Sequence, residues 1–180
     1  MAGWRRGLAL AFVGLWSGAA TAAPRHAEAD GFSLRFDDAA WAQQTAAPPS
    51  LLTLRCIAPA CSQGNVVTFV RDERPLIAPG FGPFGPGAVT GAAVDLRLQS
   101  LTPASRLLAR DPVEPVGIGG TNGYRGVYDI EDRALAKTGA VILLLHQGDA
   151  SLEVRMGVPN LSAADIAAFD ALLTGLELQN

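Results

Sequence analysis

Lysine is nearly missing from this chain of 180 residues: Lys137 is the sole one among 14 cationic side chains, the rest being arginine. Against 17 Asp and Glu this leaves a formal net charge of −3. A nucleic-acid binder carries a basic field, and none is present here. Histidine is scarce, with only His26 and His146, and cysteine is limited to Cys56 and Cys61. A structural zinc site takes four ligands, and those two imidazoles are all that could join the cysteines, so no metal is expected. Catalytic signatures are missing as well. There is no G-x-S-x-G, no free thiol once the cysteines pair, and no acid pair assignable by spacing. Gly80–Gly91 lacks the Gly-Lys-Ser/Thr ending of a phosphate loop. Gly117–Gly123 leads into a strand, not into the helix N-terminus that a pyrophosphate requires. Both are expected to be loops, and no cofactor is expected.

Long apolar runs are confined to the N-terminus. Arg5 and Arg6 precede Leu8–Trp16, and small residues follow over Ser17–Ala23, the three parts of a secretory signal. Ala20-Thr21-Ala22 fits the A-x-A pattern, which places cleavage after Ala22. The rival reading is an uncleaved anchor, but Gly14 and Gly18 interrupt a run that falls short of the roughly 20 apolar residues needed to span a bilayer. The expected mature chain, 23–180, is a single exported domain without a transmembrane segment. Loss of Arg5 and Arg6 takes its charge to −5. The first cysteine is Cys56, so no lipid-attachment site follows the leader.

The two cysteines are spaced C-x4-C, and in an oxidising compartment a disulfide between Cys56 and Cys61 is expected. Ile57–Ala60 then forms the turn between two strands, and by loop entropy so small a ring contributes about 2 kcal/mol.

Period-two alternation dominates the rest. Phe32, Leu34 and Phe36 alternate with Ser33 and Arg35. Leu52 and Leu54, Val66–Val70, Val94 to Leu98, Tyr124 to Ile130, and Leu152 to Met156 read the same way, as half-buried antiparallel strands. Ala140–Leu145 is apolar in both phases and predicts a central strand covered on both sides, with Gln147-Gly148-Asp149 turning into the next. The count is about seven strands. A C-terminal amphipathic helix starts at Ser162 as N-cap, with Asp165 at N3 in a capping box, and its apolar face is Ile166, Phe169, Leu172, Leu173 and Leu176. Shorter helical turns are predicted over Pro103–Arg110 and Asp37–Gln44, and His26 is placed in a disordered mature N-terminus. The fold class is α+β, with the helix packed on one face of a largely antiparallel sheet.

Three clusters could carry function. Arg35, Arg55, Arg97 and Arg155 occupy the polar phase of predicted strands, and on neighbouring strands they would form a face for a carboxylate or phosphate. Asp95 and Glu153 share that phase and would neutralise it. Phe81 and Phe84 lie in the Gly- and Pro-rich stretch Ala78–Gly91, a candidate partner loop. His146 ends the most apolar strand and would serve as the general base of a hydrolase-type enzyme, although a structural role suits a strand end better. Asp129, Glu131 and Asp132 beside Arg133 read as an ion-paired strand end.

The order of elements resembles exported PsbP-like domains, including the DcrB-type envelope proteins. Gly31–Trp41 is similar to their first strand leading to a Trp, and Ala140–Leu176 to their last hairpin and closing helix. The C-x4-C pair and the Gly/Pro stretch have no counterpart there. The resemblance implies a non-enzymatic accessory role at a membrane complex or envelope and carries over no catalytic residue. The sequence thus points to a periplasmic accessory or interaction protein with an envelope protein partner. A small anionic ligand on the arginine face is the alternative.

Overall fold

In the computed structural model, which describes residues 24–73, 99 and 105–179, the predicted alternation becomes strand after strand. Eleven strands are found among the described residues: β1 (Pro24–Ala29), β2 (Phe32–Asp37), β3 (Trp41–Gln44), β4 (Ser50–Cys56), β5 (Val66–Asp72), β6 (Arg106–Ala109), β7 (Glu114–Ile118), β8 (Thr121–Glu131), β9 (Lys137–Gln147), β10 (Ala150–Val158) and β11 (Leu176–Leu178). One helix, α1 (Ala163–Leu173), lies between β10 and β11. A large sheet runs β3-β4-β5-β10-β9-β8-β6, with β7 also paired to β8. A small sheet runs β1-β2-β11. Every pairing is antiparallel.

The α+β class holds, with corrections. There are two sheets rather than one, and the strands outnumber the seven expected. Trp41–Gln44 is a strand paired with β4, not a helical turn. Arg106–Ala109, expected to be helical, is a strand on β8. His26 is not in a disordered tail but in β1, facing Arg35 across the pair. The expected leader 1–22, Phe81, Phe84 and the predicted strand carrying Arg97 lie outside the described residues.

Both sheets and the helix share one core. Phe32, Leu34 and Phe36 of β2 meet Leu54, Phe69, Leu143 and Val154 of the large sheet, and Phe169, Leu172 and Leu173 of α1 close the same cluster. Phe32 stacks on Phe69 between the sheets, with ring centroids 5.1 Å apart. β9 is covered on both sides as its sequence requires. Val141, Leu143 and Leu145 belong to this core, while Ala140, Ile142 and Leu144 join Tyr128 in a second cluster on the opposite face.

The helix begins as predicted. Asp165 accepts from the Ser162 backbone N–H at 3.0 Å, and the Ser162 hydroxyl accepts from the Asp165 N–H at 3.2 Å. The helix is shorter than its apolar repeat, because Thr174 caps it and Leu176 is buried from β11 instead. Asp165 also reaches outside its own element. It accepts from the Ser62 N–H at 2.8 Å, the Ser62 hydroxyl at 2.6 Å and Asn65 Nδ2 at 2.9 Å. Those donors sit in the loop that follows Cys56 and Cys61, which stand at disulfide distance with Cα atoms 6.2 Å apart. One fully buried carboxylate thereby ties the β4–β5 loop to the start of α1.

Burial alone would raise the Asp165 pKa, but the hydrogen bonds from Ser162 and Ser62 outweigh it and hold the group well below the usual carboxylate range. Its folded pKa is therefore below its unfolded one. The stabilisation is complete above about pH 4 and is lost as the pH falls. Asp165→Asn should cost on the order of 3 kcal/mol at neutral pH in denaturant unfolding, since it places an amide against donors in a dry site. The gap between wild type and variant should narrow as the pH is lowered below about 4.

Candidate functional site

The edge of the large sheet is built by a hairpin that depends on two glycines. Gly119 and Gly120 both take positive φ, 58° and 80°, the left-handed pair that a two-residue type I′ turn requires. A side chain at Gly119 would also meet the Leu176 carbonyl oxygen, because a Cβ there would lie 2.8 Å from it. Gly117 and Ile118, expected in a loop, instead end β7.

The register pairs Glu114 with Arg125, Val116 with Gly123 and Ile118 with Thr121. Alternation turns Glu114, Val116 and Ile118 toward α1, and Arg125 of β8 lies on that same side. Arg125 Nη1 donates to Glu114 at 2.7 Å and Nη2 to Asp170 of α1 at 3.1 Å. Its side chain is only 16% exposed, whereas Glu114 and Asp170 are about half exposed. An open cleft of about 510 Å³ lies above this triad, walled by Val116, Ile118 and Leu173. Two carboxylates for one guanidinium give the cleft an excess of negative charge. Sequence reading missed Arg125, because Tyr124, Tyr128 and Ile130 made the other phase of β8 look like the inward one. The Gly119-Gly120 dipeptide between Val116/Ile118 and a strand was the hairpin signal that could have found it.

Of the arginines singled out from sequence, the three among the described residues, Arg35, Arg55 and Arg155, are not brought together. Arg35 is on the small sheet and pairs with Glu177. Arg55 and Arg155 share the face of the large sheet opposite the main core, but β5 separates their strands, a spacing of about 10 Å. Arg155 pairs with Glu153 at 2.6 Å. A second cleft, about 660 Å³, has Arg35 at its rim over Phe36, Trp41 and Leu172. His146 is exposed at the end of β9, and its backbone carbonyl accepts from the Thr121 hydroxyl at 2.8 Å. The acidic group is structural: Asp129 takes Arg110 at 2.8 Å, not the adjacent Arg133, and Asp132 caps the β8–β9 turn through the Ala134 and Ala136 N–H groups. Among the described residues no group of three or more His, Cys, Asp or Glu is placed to hold a metal ion. No helix among them is long and apolar enough to cross a membrane.

No family model and no curated protein matches the sequence. Solved structures do. The solution structure of cyanobacterial PsbP (CyanoP) from Synechocystis sp. PCC 6803 is similar at a TM-score of 0.59 and 12% identity, over 93% of this chain and 99% of that one. The chain shares the PsbP fold. A crystal structure from Bacteroides thetaiotaomicron VPI-5482 is similar at a TM-score of 0.50 and 12% identity over 89% of this chain, which spans about half of that one, 49%. A Pseudomonas aeruginosa protein of unknown function gives a TM-score of 0.43 at 12% identity, over 87% of this chain and 98% of that one. The resemblance read from the two ends of the sequence thus holds at the level of the fold. In this setting of the PsbP fold, the Arg125 triad links the last helix to the sheet edge.

Arg125→Leu should lower stability by only about 1 kcal/mol, because its carboxylate partners stay hydrated at the cleft mouth. Chemical denaturation measures this. A loss of several kcal/mol would show a buried structural charge instead of a cleft wall.

Proposed function

We propose that this protein is an exported, non-enzymatic accessory or interaction module of the cell envelope, acting in the periplasm after removal of residues 1–22. The observation that carries the reading is the PsbP fold along nearly the whole chain, since the PsbP-like resemblance implies that role. The signal-like N-terminus supports export, and the Cys56–Cys61 pair fits an oxidising compartment. The surface of the site suits contacts better than chemistry: its two carboxylates are about half exposed and both already pair with Arg125. Anion binding through Arg35, Arg55, Arg97 and Arg155 has less support, because Glu177 and Glu153 answer two of those cations.

Native mass spectrometry of the mature protein, isolated gently from the periplasm of its own host, tests the assignment. A co-isolating protein partner is the expected result, with an N-terminus beginning at Ala23. A small anionic adduct that disappears in Arg35→Ala and Arg155→Ala variants would replace this reading with ligand binding.

A further inference from the structure

Among the described residues β7 pairs with β8 alone, so its other side is an open sheet edge among them. In a hairpin closed by a two-residue turn, the pair flanking the turn exchanges both backbone hydrogen bonds, and so does every second pair beyond it. Here those pairs are Ile118–Thr121, Val116–Gly123 and Glu114–Arg125. The intervening residues, Gly117 and Pro115, therefore turn their backbone polar groups to the open edge. Gly117 offers an N–H and a carbonyl, and Pro115 offers a carbonyl only. Both residues are exposed. Pro115 makes the edge a short one, which guards against indiscriminate pairing while leaving one complete docking position.

The cleft lies directly beside that edge. A strand added to β7 would send every second side chain to the same side as Val116 and Ile118. There it would meet an apolar wall completed by Leu173 and, at the mouth, Glu114 and Asp170. Arg125 contacts only Oε1 of Glu114 and Oδ2 of Asp170, so each carboxylate keeps an oxygen for a second cation. The charge excess is negative, which rejects an acidic occupant and matches a basic one.

From this we infer that the β7 edge and the cleft beneath it take an extended segment of a partner protein, added as a strand, with an apolar and a basic side chain two residues apart facing the cleft. The apolar side chain covers Val116, Ile118 and Leu173, and the basic one joins Glu114 and Asp170. This rests on the interaction reading above and names its surface.

The test is a titration of isotope-labelled mature protein, followed by amide chemical shifts, with the capped peptide acetyl-Thr-Val-Thr-Arg-Thr-amide. The expected result is saturable binding that shifts the Val116–Ile118 amides and slows exchange of the Gly117 N–H. Binding should weaken about tenfold when Glu replaces Arg in the peptide or in a Glu114→Gln, Asp170→Asn protein. Acetyl-arginine amide alone producing the same shifts would overturn strand addition in favour of a plain cation pocket. A Gly117 shift that depends on protein concentration without peptide would overturn it in favour of a second copy of this chain. No shift at β7 would overturn it outright. If a partner still co-isolates natively with the Glu114→Gln, Asp170→Asn protein, this surface is wrong while the accessory reading stands.

Discussion

The arrangement depends on a carboxylate that has no water around it. Asp165 is completely buried, and an uncompensated charge in such a place would cost several kcal/mol. It is tolerated because five donor groups converge on it, from Ser162 in its own cap and from Ser62 and Asn65 a hundred residues earlier in the chain. The demand for those donors fixes where the β4–β5 loop must sit, and the same contacts fix where α1 begins. Once α1 is anchored there, Phe169, Leu172 and Leu173 come down on the shared core and Asp170 comes within reach of Arg125. The cleft at the sheet edge is thus a remote result of how one acid is satisfied at the other end of the helix.

The strands that were legible in the sequence are those with one face on the core and one toward solvent. β2, β4, β5, β8 and β10 each alternate, and β9 betrayed its central place by being apolar in both phases. The strands that escaped notice are short or at an edge. β1, β3, β6, β7 and β11 bury too few residues to impose a period, and what makes them strands is a neighbour, not their own composition. β1 extends because β2 offers it a ladder, and Trp41 joins β3 because Cys56 lies opposite. The capping box of α1 was legible because it is local. The bonds from Ser62 and Asn65 to the same Asp165 were not, because nothing in a linear reading links positions 62 and 165.

The site shows the same division. Polar-phase arginines were visible, but phase alone does not say which sheet a strand will join, and Arg35 went to the small sheet while Arg55 and Arg155 went to the large one. Arg125 has the reverse history. It sits in the inward phase, where a charge is unexpected, and is accommodated only because an edge strand and a helix each bring it a carboxylate. The two carboxylates fix that cation between the edge hairpin and the helix.

The small sheet has a consequence for how the molecule is made. Its middle strand, β2, lies between β1 at the start of the described chain and β11 at its end. Leu34 pairs with Ala27 on one side and with Leu176 on the other. The layer cannot be completed before Leu176–Leu178 has reached β2. Two segments far apart in the sequence are thereby held on either side of one strand.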